Sequence, residues 1–304
     1  MKEITLKGQD NLDLAVFVYD DVKNPIGVVQ LVHGSCEHSQ RYTEFIEYLN
    51  SNDYIVVASD HRGHGKTAQL QNTMLGFFAP NDGWNILIDD LKVINDYIHQ
   101  NYGDLKITMM GHSMGSFMVR TYLIKYGSTI NKAILSGTAW YNPFLMKYAI
   151  WFARKRKKKY GQYFRDDFIW SLSYKSFNKK WISHNSTGNE WLSIDEENRI
   201  KFSKDLTCGF MFTSTAFLDM FLGIVYNQKR KNMKHVPKDI PVLLISGEDD
   251  PVGAFKKGVK KTKKSFDKQK IKTEMIFYKD LRHEIVFDRD KELVFKDVLN
   301  FLKS

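Results

Sequence analysis

The sequence predicts an α/β protein: a mostly parallel central sheet with helices on both faces and an inserted helical cap. Three observations predict it. Short apolar runs bounded by turn residues alternate with segments of helical period through the first 140 residues. The alternation stops over residues 141–236. It then resumes to the C-terminus. Strand and helix in series imply parallel pairing through crossover helices.

The strands are read first. Val28–Val32, Tyr54–Ala58, Leu105–Met110 and Lys132–Ser136 are rich in β-branched and large apolar residues. Each is too short for a helix and suits a strand covered on both faces. Pro241–Ile245 and Lys272–Tyr278 repeat the pattern late in the chain. Arg41–Asn50 and Trp84–Asn101 carry helical spacing between the early strands. In the second, Ile86, Leu87, Leu91, Ile94 and Ile98 form the apolar stripe. Lys291–Leu302 reads as a closing helix, and Lys256–Lys272 as an exposed helix and loop. The expected organisation is one core, residues 1–140 and 237–304, interrupted by a basic, aromatic-rich cap at 141–236. The run Leu206–Gln228 holds one charge, Asp219. Thr207, Gly209, Thr213, Ser214, Thr215 and Asn227 also break it, so packed cap helices are expected rather than a membrane span.

Composition narrows the class. Of 304 residues, 43% are hydrophobic and 26% charged, which fits a globular chain. Two distant cysteines, Cys36 and Cys208, make no disulfide framework, and the N-terminus lacks an apolar leader. A cytoplasmic protein is expected. The net charge of +10 is localised. Residues 141–239 hold 19 basic and 9 acidic residues, whereas the remainder holds 26 of each. Such a segment either attracts anionic surfaces or is a solvated, solubilising face.

The chemistry is carried by Gly111-His112-Ser113-Met114-Gly115. This G-x-S-x-G follows a strand directly and precedes the helical run Phe117–Leu123, the setting the pattern requires. The sharp turn strains the serine backbone, and the flanking glycines remove side chains that would collide. A hydroxyl needs a neighbouring base to become a nucleophile. His283 follows the last strand, where residues face the ligand crevice, and is the candidate base. An acid that orients its imidazole is expected after the strand ending at Ile245, and Glu248, Asp249 and Asp250 all qualify. The loop His33-Gly34-Ser35-Cys36-Glu37-His38-Ser39 follows the strand Val28–Val32. Its Ser35 N–H, with that of Met114, is the expected oxyanion donor. His33, Gly34, Gly111, His112 and Gly115 shape the site.

At these residues the chain resembles the monoacylglycerol lipase and lysophospholipase branch of the α/β-hydrolases. The resemblance rests on five blocks in order. They are His33–Tyr42 as H-G-x-x-E-H-S-x-R-Y, Asp60–Gly65 as D-x-R-G-H-G, Gly111–Gly115, a strand followed by Gly247-x-x-Asp250, and Arg282-His283-Glu284. It implies the α/β-hydrolase fold, Asp250 as the third member of a triad with Ser113 and His283, and hydrolysis of single-chain acyl esters under a mobile lid. No cofactor is implied. Cys36 departs from the glycine common in this branch, at a place where it could narrow the pocket.

Competing readings are weaker. His33, His38, His61, His64, His99 and His112 lack metal-ligand spacing and are expected to brace loops. Asp60–Thr67 falls one residue short of a P-loop, with Asp60 where the first glycine belongs. Trp140–Phe152 is apolar and aromatic and is followed by Arg154–Lys159. That pairing suggests peripheral docking on anionic lipid at the inner membrane face. No nucleic-acid motif accompanies the charge. The alternatives are a short-chain carboxylesterase, a prolyl-type aminopeptidase, or a lipid-surface binding protein with a vestigial triad.

Overall fold

The computed structural model describes residues 1–182 and 186–304. Eight strands form one sheet: β1 (Lys2–Lys7), β2 (Asp13–Tyr19), β3 (Gly27–Val32), β4 (Tyr54–Ser59), β5 (Ile107–His112), β6 (Lys132–Ser136), β7 (Val242–Gly247) and β8 (Thr273–Tyr278). Their spatial order is β1-β2-β4-β3-β5-β6-β7-β8. From β4 onward every pair is parallel, as the alternating pattern implies. The antiparallel pair β1–β2 adds an edge that the sequence reading does not anticipate. Ile4 and Leu6 of β1 pack against the core, and Lys2 and Lys7 at its two ends are exposed, which discourages edge-to-edge pairing.

The pleat divides the core. Val29 and Leu31 of β3 pack with Phe45, Ile46 and Leu49 of the helix Thr43–Asn50, and with Val298 and Leu302 of the helix Lys291–Lys303. Val28 and Val32 face the other way. They meet Leu87 and Leu91 of the helix Gly83–Tyr102 and Phe117 and Met118 of the helix Met114–Tyr126. Alternate residues feeding two apolar layers explain why these strands read as unbroken hydrophobic runs.

The connection from β6 to β7 carries the insertion. Its main helices are Pro143–Tyr160, Glu196–Lys204 and Ser214–Gln228. Asn142, Asp195 and Thr213 cap them by accepting backbone N–H groups, and Pro143 sits where its missing donor costs nothing. Among the described residues no helix is long and apolar enough to cross a membrane. The apolar run before Gln228 instead packs its helix against Pro143–Tyr160 and Met114–Tyr126. The lysine-rich stretch forms the helix Lys257–Asp267 on the outside of the sheet.

The sheet winds outward in both directions from β3 and β5. Their carboxyl ends therefore open a crevice at the point where the strand order reverses, the usual ligand site in this architecture.

Candidate active site

Ser113 occupies that crevice. It ends β5 and starts the next helix with φ 50° and ψ −118°, a conformation that an L-residue adopts only under constraint. The constraint comes from Ser113 N–H donating to the Ser136 carbonyl at 2.9 Å and from close packing of the turn. A Cβ on Gly115 would lie 2.2 Å from the Val32 carbonyl oxygen, so only glycine lets this helix approach β3 so closely. The hydroxyl is thereby held clear of the sheet.

The three candidate triad residues meet. Ser113 Oγ lies 2.8 Å from His283 Nε2. His283 Nδ1 lies 3.0 Å from Asp250 Oδ2, although its N–H is not aimed squarely at that oxygen. Asp250 is fully buried and is fixed by the Val252 N–H at 2.8 Å and the Ser246 hydroxyl at 3.3 Å. Its neighbours are excluded by position. Glu248 pairs with Lys256, and Asp249 with Lys180, both at the surface. Burial alone would push the His283 pKa down. The Asp250 carboxylate, helped by Glu284 and Glu37, outweighs it, and the imidazole sits above its ordinary value. Gly137, which the sequence reading passed over, makes room for this ring: a Cβ there would lie 2.8 Å from His283 Cε1.

In the loop after β3, Ser35 is flanked by residues whose N–H groups are engaged. Gly34 N–H is bound to Glu37, and Cys36 N–H donates to His64 Nε2 at 3.2 Å. Among the described residues, the N–H groups of Ser35 and Met114 have no acceptor. Gly34 is needed for proximity rather than for unusual angles, since a Cβ there would press on Glu37 and Ser113. Cys36 has φ 57°, a left-handed conformation that favours glycine, and its side chain is buried beside the pocket.

The surrounding histidines brace this loop. His33 donates through Nδ1 to the Gly34 carbonyl at 2.7 Å and accepts the His61 N–H through Nε2 at 3.0 Å. His61 returns a bond to the His33 carbonyl, and His64 Nδ1 donates to the Arg62 carbonyl. Burial drives His61 to a pKa of about 4 and His64 to about 3, so both are neutral at pH 7, His61 donating through Nε2 and His64 accepting through it. His112 contacts the Ser136 hydroxyl at 3.2 Å, and its ring packs beside that of His283. Asp60 serves as a hub rather than a phosphate cradle: it accepts the Ser39 N–H, the Ser39 hydroxyl and the Lys66 N–H.

The insertion completes the site with residues that the sequence did not mark. Tyr174, in the π-helical turn Ser171–Lys175, donates to Ser35 Oγ at 2.6 Å and stacks on Trp170. Trp191 packs 5.2 Å from the His283 ring, and Glu284 N–H donates to the Leu192 carbonyl. Two cavities converge on Ser113. One, of about 410 Å³, is lined by side chains such as Phe117, Leu145, Phe152, Phe177 and Met220. The other, of about 270 Å³, is more polar and passes Glu37, Lys175, Thr187, Asn189 and Glu284. Ser35, Ser113, Tyr174 and Trp191 border both.

Known proteins with this arrangement are recognisable. The chain is 26% identical over 137 residues to a monoacylglycerol lipase of Mycolicibacterium smegmatis, 32% over 91 residues to the monoglyceride lipase of Mus musculus, and 28% over 137 residues to a probable lysophospholipase L2 of Haemophilus influenzae. These matches cover 45%, 30% and 43% of this chain but only 46%, 28% and 41% of the respective relatives, so less than half of each is spanned. A thermostable carboxyl esterase from Bacillus coagulans, solved with glycerol, superposes with a TM-score of 0.92 at 25% identity over 99% of this chain and 97% of that one. A monoglyceride lipase variant from Saccharomyces cerevisiae, solved with a substrate analogue, shares the fold at a TM-score of 0.76 and 20% identity, covering 99% and 94%. The model of the family described as "Serine aminopeptidase, S33" matches residues 23–290. By that match and by its fold, the chain belongs to this family of α/β-hydrolases.

Proposed function

We propose that this protein is a serine hydrolase of carboxylic esters that acts on single-chain acyl lipids, as a monoacylglycerol lipase or lysophospholipase does. One observation carries the reading. A serine hydroxyl within hydrogen-bond reach of an imidazole stands where an apolar cavity meets a more polar one. The larger cavity suits an acyl chain, and the smaller suits the alcohol it is esterified to. In this mechanism His283 takes the proton of Ser113 as the hydroxyl attacks the ester carbonyl. The Ser35 and Met114 N–H groups receive the oxyanion. His283 protonates the departing alcohol, leaving an acyl-enzyme. Water, deprotonated by the same imidazole, then releases the fatty acid. Asp250 holds the imidazole and stabilises its charged form.

The family description names aminopeptidases, but the pockets favour an ester with no free amine. Among the described residues the apolar cavity has no carboxylate to anchor an α-amino group. Glu37 and Glu284 line the polar one, yet both are engaged by Arg41. A fluorophosphonate probe tests the nucleophile: the wild type should label and Ser113→Ala should not. Equal labelling of the two would refute the assignment. A panel of monoacylglycerol, lysophosphatidylcholine, nitrophenyl esters and aminoacyl amides then separates the readings. Preference for the amides would overturn the lipid assignment.

The reading extends to a lipid surface as the source of substrate. Phe144, Leu145, Tyr148 and Trp151 are exposed on the helix Pro143–Tyr160, and Leu145 and Tyr148 also border the apolar cavity. Lys155, Lys158 and Lys159 follow on the same helix, whereas Arg156 is held by the buried Asp166. An aromatic rim beside cations suits an anionic interface. Co-sedimentation with anionic vesicles should exceed that with neutral ones at low salt; equal binding would refute the docking.

A further inference from the structure

A third cavity, of about 320 Å³, lies outside the site described above, where both ends of the insertion meet the helix Lys257–Asp267. Trp140 borders it from the start of the insertion, Gln228 and Arg230 from the end, and Lys261, Lys264 and Lys268 from the helix and its last turn. Its walls are fastened together. The Gln228 side chain accepts the Tyr141 N–H at 2.8 Å and donates to the Tyr141 carbonyl at 3.0 Å, so the two ends of the insertion form one clasp. Among the described residues no aspartate or glutamate lines the hollow.

The charge pattern of this region is one-sided. Lys263 on the same helix pairs with Asp267, and Lys256 pairs with Glu248. Arg230, Lys261, Lys264 and Lys268 have no carboxylate partner among the described residues. Positions 261, 264 and 268 are spaced three and four apart and therefore share one helix face, where like charges repel. Lys257 and Lys260 stand in the first turn, where cations oppose the helix dipole. Lys264 and Lys268, at the end of the helix, gain from its dipole, yet among the described residues none of the cations lining the cavity has a carboxylate partner. An anion seated in the cavity would meet cations from two separate elements at once.

We infer that this cavity binds a phosphate-rich anion carrying at least two phosphate groups. A single phosphate, with a charge of about −2, leaves part of a four-cation site unmatched. The half-buried Trp140 indole adds an apolar wall, with one side against the buried Arg120 guanidinium 5.7 Å away. The ligand can come from solution or be the phosphorylated headgroup of a lipid. The inference is independent of the proposed esterase chemistry, because no residue of the cavity takes part in it.

The test uses the full chain and two probes. Inorganic tripolyphosphate is titrated calorimetrically, with sulfate as comparison. Phosphatidylcholine vesicles are co-sedimented with and without a doubly phosphorylated phosphoinositide. Saturable tripolyphosphate binding about tenfold or more tighter than sulfate is expected. It should be lost in Lys264→Glu/Lys268→Glu and kept in Lys257→Glu/Lys260→Glu, which makes the same charge change away from the cavity. Thermal melting verifies that both variants fold. Phosphoinositide-dependent sedimentation that is lost in the first variant alone identifies a lipid headgroup. Tripolyphosphate binding without it identifies a soluble ligand. Absence of saturable binding to both probes, equal affinity for sulfate, or equal loss in the two variants would overturn the proposal.

Discussion

Tyr174 donates its hydroxyl hydrogen bond to Ser35 Oγ at 2.6 Å, joining the insertion to the loop that offers the proposed oxyanion donor. Burial holds the phenol well above its usual pKa, so it is a neutral donor at any working pH. Its ring is clamped by Trp170 on one side and by the edges of Phe177 and Trp191. Tyr174→Phe keeps this packing and removes one hydrogen bond, a loss of about 0.5–1.5 kcal/mol. The expected result is a fall in kcat of roughly three- to tenfold, with KM changed less than about twofold. If steady-state kinetics show KM rising while kcat holds, Tyr174 contacts substrate rather than positioning the loop.

The pH profile reports on the His283–Asp250 pair. The base must be neutral to accept the serine proton, so activity climbs with pH through the imidazole pKa. Burial lowers that pKa, and Asp250, with smaller contributions from Glu284 and Glu37, raises it by more. The acidic limb of kcat/KM should therefore centre above 6.5. In Asp250→Asn the largest raising interaction is gone while burial remains, so the limb should move to lower pH than in the wild type. Activity should also drop on the order of 10⁴-fold, as the tautomer is no longer held. An unmoved limb, measured on an activated nitrophenyl ester, would mean that another group titrates.

What the sequence disclosed follows from physical range. Strands such as Val28–Val32 and Tyr54–Ala58 carry their own signature, because burial on both faces demands continuous apolar residues. Ser113 is equally legible, since the elbow needs glycine on both sides and therefore leaves a local pattern. The choice of Asp250 over Glu248 and Asp249 is different: nothing local separates three adjacent acids, and it took the family pattern to prefer one. Strand β1 is obscure because four of its six residues are exposed. Tyr174 and Trp191 are obscure because their partners, Ser35 and His283, are far away in sequence. The insertion has weak periodicity, and its contribution to the site exists only after folding. Gly137 gives no signal at all until the imaginary side chain is set against the imidazole.

Arg41 is expected to be the most sensitive polar residue outside the triad. It binds both oxygens of Glu284, reaches Glu37 and Asn198, and lies against the rings of Phe202 and Phe287. It thereby ties the loop after β3 to the residue following His283. Arg41→Met removes the cation that pairs with both buried carboxylates, at a cost of about 3–5 kcal/mol. Without the guanidinium, burial and mutual repulsion raise the folded-state pKa of Glu37 and Glu284 above that of the unfolded chain. Stability of the variant should then fall as pH rises from about 4.5, the reverse of the usual carboxylate dependence. Urea midpoints at pH 5 and pH 8 test this; a variant that is equally stable at both contradicts it.

Asp219 offers the opposite substitution, one that stabilises. It is the single charge in the helix Ser214–Gln228 and lies buried at the start of the helix Gly83–Tyr102, with one oxygen lacking a partner. Burial is the main reason its pKa is pushed up to about 7; Asp82 adds to the rise, and Lys157 only partly offsets it. The folded state thus favours the protonated form, whereas the unfolded chain ionises near its ordinary value of 3.8. Its unfavourable contribution grows as pH rises between those values and is complete above pH 7, where it reaches no more than about 4 kcal/mol. Asp219→Asn keeps the shape and removes the ionisation. Its melting temperature should exceed that of the wild type at pH 8 and match it near pH 4. A variant that melts lower at pH 8 would show that the carboxylate is worth more as an anion at that helix start than its burial costs.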